Sequence, residues 1–188
     1  MPSQINNLHH RKSIRLKEYD YTSSAEYFIT ICTYQRECLF VEIKKDEMVL
    51  NYFGLIVLEE WLRTAEIRGD VELDSYVVMP NHIHGIITLI ESGRGTSQRA
   101  PTKEQFGKPT SRSIPTIVRL FKACVTKRIN LLRNTPRQSI WQRNYYEHII
   151  RNDKDLINIR DYIINNPMQW HVDEENPHRG DSHQKDGG

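Results

Sequence analysis

Residues 76–89 read YVVMPNHIHGIITL, and the fold turns on how this stretch is read. Val77, Val78, Ile83, Ile86, Ile87 and Leu89 are the β-branched and aliphatic residues of buried strands, and Pro80-Asn81 breaks the run into two. Strands at about 71–79 and 82–90, joined by this tight turn, are both apolar enough for the middle of a sheet. Side chains two apart on a strand share a face. His82 and His84 therefore stand side by side while Ile83 points to the opposite face. Two adjacent imidazoles are a metal-binding arrangement that needs further ligands. A pair of hydrogen-bonded core histidines satisfies the same pattern.

Working outward, NYFGLIVLEEWLRTAEI (51–67) places Phe53, Ile56 or Val57, Trp61 and Ala65 at helical spacing, and the helix is expected to extend back toward Asp46. EYFITICTYQ (26–35) alternates as a strand, and a second short strand is expected at 38–43. Downstream, 91–112 is rich in Gly, Ser, Thr, Pro and basic residues and reads as a flexible basic loop. A helix then opens near Ser113, a candidate cap, with Pro115 in its first turn. It carries Ile117, Phe121, Val125 or Cys124, Arg128 and Leu132 in register. SIWQRNYYEHIIR reads as one or two short extended pieces. NDKDLINIRDYIINNP is a last helix, capped by Asn152 and ended by Pro167.

The order strand, helix, strand, strand, helix, extended piece, helix predicts an α+β fold. It is a ferredoxin-like βαββαβ antiparallel sheet with helices on one face and an extra C-terminal helix. Residues 1–24 are expected to form a basic N-terminal arm, 25–171 the domain, and 172–188 a disordered tail with almost nothing to bury.

Composition narrows the function. The chain has 188 residues, 38% hydrophobic and 27% charged, and no apolar run approaches the ~20 residues of a bilayer span. Cys32, Cys38 and Cys124 are few, odd in number and without a C-x-x-C pair, which predicts reduced thiols and an intracellular, cytoplasmic protein. The net charge is only +2, but it is unevenly spread. Arg94 to Arg143 holds twelve Lys and Arg against one acid, Glu104, so this segment carries +11 and the remainder −9. The expected partner is a polyanion, nucleic acid first.

The last helix adds reactive groups. Tyr162 and Asn166 are four apart, on one helical face. A phenol activated near a cation, one turn from an amide oxygen able to ligate it, suits nucleophilic attack. Tyr162 as a core aromatic with a wet tip is the plainer alternative, and spacing alone also admits Tyr146 as nucleophile.

His-hydrophobic-His after MPN, the basic helix, WQRNYYEHIIRN and RDYIINNP together resemble the REP-associated tyrosine transposases. These belong to the single-tyrosine, His-hydrophobic-His class of DNA strand-transfer enzymes, related to small insertion-sequence transposases. The resemblance spans about residues 15–170. It implies His82, His84 and Asn166 as ligands of a divalent ion, Mg²⁺ or Mn²⁺, and Tyr162 as the catalytic nucleophile. The implied activity is cleavage and rejoining of single-stranded DNA near hairpin elements through a 5′-phosphotyrosine, by a monomer or homodimer associated with the nucleoid. Arg11, Lys12, Arg15, Arg112, Arg119, Lys122, Lys127 and Arg128 are the candidate DNA contacts. A non-catalytic single-stranded DNA or RNA-binding module on the same sheet is the alternative, and a metal-dependent hydrolase with an attacking water is a further one.

Overall fold

The computed structural model describes residues 25–44, 47–90 and 112–179. The arm at 1–24, and with it Arg11, Lys12 and Arg15, lies outside them, as does 91–111 of the basic loop. Strands β1 (Ala25–Cys32), β4 (Val71–Val78), β5 (His82–Leu89) and β6 (Tyr146–Ile150) form one antiparallel sheet in the order β4-β5-β1-β6. Each strand pairs antiparallel with its neighbours, which is the ferredoxin-like arrangement expected from the element order. Helices α1 (Tyr52–Glu66) and α2 (Ile114–Leu132) and the closing helix α3 (Asp153–Asn165) complete it. Among the described residues no helix is long and apolar enough to cross a membrane.

Alternation along β5 decides which helix covers which face. Ile83 and Ile87 join Tyr27, Ile29 and Ile31 of β1 in the larger core, against Ile56, Val57 and Trp61 of α1 and Ile117, Phe121 and Val125 of α2. The opposite face carries Phe28 and Ile86, packed with Ile150 and Ile163, and flanked by Leu156 and Ile159 of α3. At about 1.5–3 kcal/mol for each large side chain buried, the first face dominates stability. The second is left free to present polar groups.

Gly85 marks the tightest approach between sheet and helix. A Cβ there would stand 2.3 Å from Cζ2 of Trp61, a ring that is itself buried edge-on to Phe121 at 5.5 Å. Gly85→Ala is therefore expected to destabilise the domain by about 1–3 kcal/mol through overpacking, measured as a lower urea midpoint. An unchanged midpoint would mean that Trp61 moves freely.

Two expectations need correction. The first helix does not extend back toward Asp46. Glu47–Leu50 instead forms β3, paired with β2 (Val41–Lys44) in a separate two-stranded sheet. Met48 and Leu50 pack on the core. Asn51 then caps α1, its Oδ1 accepting from the backbone N–H groups of Phe53 (2.9 Å) and Gly54 (3.1 Å). Nor are residues 173–179 without packing, while 180–188 lie outside the described residues. Asp173 and Asn176 are buried, held by turns and side-chain hydrogen bonds that continue the 3-10 turn Asn166–Val172. The caps of the other two helices fall where expected. Asn152 Oδ1 accepts from the N–H of Asp155 at 2.9 Å, while Ser113 occupies the cap position of α2 with its hydroxyl turned to Thr116.

Candidate active site

His82 opens β5 and His84 follows on the same face, both almost fully buried. Each ring is oriented by a polar neighbour. Asn81 directs its Nδ2 to the carbonyls of Arg36 (3.1 Å) and Glu175 (2.6 Å), which leaves Oδ1 to accept from His82 Nδ1 at 2.8 Å. That fixes the His82 tautomer, with Nδ1 protonated and a lone pair on Nε2. Thr30 on β1 holds His84 Nδ1 at 2.8 Å. The two Nε2 atoms face each other at 2.9 Å.

Helix α3 brings Tyr162 over this pair. Its hydroxyl stands 3.3 Å from His84 Nε2, and its ring rests edge-on to Phe28 at 6.0 Å, while Phe28 stacks on His84 at 5.4 Å. Asn166, one turn on, hydrogen-bonds Tyr162 and donates Nδ2 to Asp173 Oδ2 at 3.1 Å. Its Oδ1 is buried and has no hydrogen-bond partner among the described residues. Asp173 returns beneath the histidines, and donor atoms of His82, His84 and Asp173 lie within 4.8 Å of one another.

This donor set fits a divalent cation. Neighbouring ligands of an octahedral ion with bonds of about 2.0–2.1 Å stand about 2.9 Å apart, the spacing of the two Nε2 atoms. Two imidazole nitrogens, an amide oxygen without a hydrogen-bond partner among the described residues and a carboxylate are donors that a divalent ion takes. His82, His84 and Asp173 are thus a group able to hold a metal ion.

Burial keeps the imidazoles neutral. It pushes His82 down to about 3, with Arg36 adding to the effect. It also holds His84 well below the usual range, with His82 adding and Asp173 opposing. Unfolded histidines titrate near 6.5, so below that pH the unfolded chain binds more protons than the folded one. The metal-free protein should therefore lose stability as pH falls from 6.5 toward 3, by at most about 1.4 kcal/mol per pH unit for each histidine. Urea midpoints in EDTA at pH 7.5 and pH 5 measure this, and equal midpoints would show that the folded pair takes up protons as readily as the unfolded chain. Tyr162 is shifted upward by burial and by Asp173, with the Asn166 hydrogen bond opposing. Forming its phenolate requires added positive charge nearby.

The structure thus brings together His82, His84, Tyr162 and Asn166 from two distant segments. It adds Asp173, Asn81 and Thr30, none of which the sequence reading singled out for this site. Tyr146 lies on the same face but rests edge-on to Phe28 at 6.2 Å, with its ring more than half exposed. Neighbouring side chains have partners elsewhere: Glu147 accepts from Tyr145 at 2.9 Å, and His148 contacts Asp155 at 2.8 Å.

The basic candidates divide. Helix α2 packs on the other face of the sheet from the histidines. On it Arg119 and Lys127 are exposed, whereas Arg128 bridges Glu59 (2.5 Å) and Glu60 (2.8 Å) of α1. Lys122 turns inward to the carbonyls of Gln142 and Asn144. Arg112 pairs with Asp70 at 3.3 Å.

No family model matches the chain. An uncharacterized protein of Haemophilus influenzae is 45% identical over 172 residues, 89% of this chain and 93% of that protein. A putative REP-associated tyrosine transposase of the same organism is 32% identical over 152 residues, covering 80% of this chain and 74% of that protein. The solved structure of a REP-associated tyrosine transposase bound to a REP hairpin shares the fold, with a TM-score of 0.56 at 23% identity over 82% of this chain and 73% of that one. Fold and relatives together define a transposase. The chain belongs to the REP-associated tyrosine transposases.

Proposed function

We propose that this protein is a metal-dependent single-stranded DNA endonuclease and strand transferase, cutting and rejoining DNA beside hairpin elements of the REP type. The observation that carries the reading is half-exposed Tyr162, its hydroxyl 3.3 Å from His84 Nε2, which in turn faces His82 Nε2 at 2.9 Å. Tyr162 Oη forms a bond to the phosphorus of a phosphodiester as the P–O3′ bond breaks. The phenol proton is balanced by the proton gained by the released 3′-hydroxyl, and the 5′ end stays on the tyrosine. Attack by a 3′-hydroxyl reverses the step at the same or a new junction, without ATP.

His82, His84 and Asn166 would hold Mg²⁺ or Mn²⁺, with Asp173 as the carboxylate of the group; the softness of imidazole favours Mn²⁺. When bound, the ion polarises the phosphodiester and offsets the charge building on its oxygens. Asn81 and Thr30 keep both Nε2 atoms aimed inward, Phe28 backs His84, and Asn166 steers the phenol. One chain supplies tyrosine and histidines together, which supports action by a monomer in cis rather than by exchange within a homodimer.

The test is incubation of labelled hairpin DNA carrying a single-stranded flank with the protein and Mn²⁺, followed by a denaturing protein gel. A DNA-linked protein band supports strand transfer. Cleavage with no such band would mean that water attacks. Binding without cleavage would leave a DNA-binding module. A companion variant, Asn81→Ala, frees the His82 ring from its fixed tautomer. It is expected to weaken Mn²⁺ binding by roughly 10–100-fold, read by calorimetry, and unchanged affinity would remove Asn81 from the site.

A further inference from the structure

Helix α3 carries Tyr162, yet Ile163 is its single buried side chain. Leu156 and Ile159 are half-buried beside it, on the small cluster of Phe28, Ile86 and Ile150. Helix α2, by contrast, buries a full stripe from Ile114 to Ile129. Apolar burial is non-directional, so a thin seam fixes the height of α3 above the sheet better than its roll about its own axis. Roll matters for the phenol. Side chains reach about 5–6 Å from a helix axis, so a roll of about 10° moves the Tyr162 oxygen by about 1 Å. A misplacement of about 1 Å can cost roughly 100-fold in rate.

An ion pair holds the other flank of the helix. Residues two apart differ by about 200° around the axis, so Arg160 and Tyr162 lie on opposite sides of the Ile159–Ile163 seam. Arg160 Nε donates to Oδ1 and Oδ2 of Asp74 at 3.1 Å each, and a terminal nitrogen of the same guanidinium donates to Oδ2. A two-pronged contact of this kind fixes direction as well as distance. Strand β4 is shaped for it. Its register against β5 shifts between Leu73 and Tyr76. Leu73 packs on the larger core, whereas Val77 packs with α3 on the site face, although an unbroken strand would put both on one face. Such a bulge re-aims side chains, and this one holds Asp74. Ser75 orients the carboxylate, its N–H (2.5 Å) and hydroxyl (3.1 Å) both donating to Oδ1. The Arg160 hydrogen bonds keep Asp74 below the ordinary carboxylate range, so the pair is charged at neutral pH.

We infer that Asp74 and Arg160 are a positioning pair that sets the roll of α3, and with it the place of the Tyr162 oxygen over the histidines. The inference rests on the strand-transfer reading for its effect on rate. The test uses the full chain with Mn²⁺ and saturating hairpin DNA, and follows single-turnover formation of the covalent adduct. Arg160→Gln should slow it by roughly 30–100-fold. Mn²⁺ affinity, hairpin affinity and the urea midpoint should stay near wild type, since a part-exposed ion pair adds little stability. Asp74→Asn should lose the same factor, and the double variant no more than either single, because the two residues act as one contact. Arg160→Lys keeps the charge without the fork and should fall between. A fluorotyrosine at position 162 adds a readout that needs no reaction, and its ¹⁹F resonance should shift or broaden in Arg160→Gln. A wild-type rate in Arg160→Gln overturns the pair, as do losses that multiply in the double variant, a loss confined to hairpin affinity, or an unchanged resonance. A resonance that shifts in Arg160→Gln, in a protein whose wild type forms no adduct, keeps the pair and sinks strand transfer.

Discussion

Tyr162→Phe should abolish the covalent protein–DNA adduct while leaving the fold and hairpin binding intact. The substitution removes one oxygen atom. The ring keeps its edge contact with Phe28, and because Tyr162 is 45% exposed the hydroxyl is not an internal strut, so stability should change by about 0.5 kcal/mol or less. The rate should fall by roughly a thousandfold or more, since no other nucleophile is presented to the same phosphorus. Tyr146→Phe is the matched control, with the same chemistry removed from the same face. It should retain the adduct, because Tyr146 is placed by Phe28 rather than by the histidines. An adduct that survives in Tyr162→Phe and disappears in Tyr146→Phe would exchange their roles. Cleavage surviving in both would make the reaction a hydrolysis.

The contrast between the tyrosines shows what the sequence made legible and what it did not. The period-2 pattern of 82–89 put both histidines on one face, and the four-residue spacing of Tyr162 and Asn166 put both on one side of a helix. These are local regularities, and they hold. β3 escaped notice because Glu47–Leu50 offers only four residues of alternation, too few to outweigh a helical pattern starting just after it. Asp173 was hidden for another reason. Its burial depends on the turn that begins at Asn166, where Pro167 and Trp170 reverse the chain beneath the sheet. In sequence it opens a run of polar residues indistinguishable from a solvated end. Asn81 was in plain view, but its role comes from carbonyls 45 and 94 residues away. Charge was legible as a total and not as individual partners. Arg128 sits in the basic segment, yet two glutamates of α1 hold it.

Asn166→Ala should weaken Mn²⁺ binding by roughly 100-fold or more, and Asp173→Asn by roughly tenfold. The ranking follows from what each oxygen already does. Both carboxylate oxygens of Asp173 accept a hydrogen bond, Oδ2 from Asn166 Nδ2 and Oδ1 from the N–H of Glu175 at 2.6 Å. Asn166 Oδ1 is buried with no such partner among the described residues, and a buried acceptor left unpaired costs about 1–3 kcal/mol. A ligated cation would remove that cost. Asp173 fixes the Asn166 amide so that Nδ2 faces the carboxylate and Oδ1 is free, and its charge favours a cation between the histidines even without direct contact. Asp173→Asn keeps the shape and loses the charge, so a modest effect marks an orienting group. Calorimetric titration of both variants with Mn²⁺ decides the order. A larger loss in Asp173→Asn than in Asn166→Ala would make the carboxylate the third ligand and the amide its support.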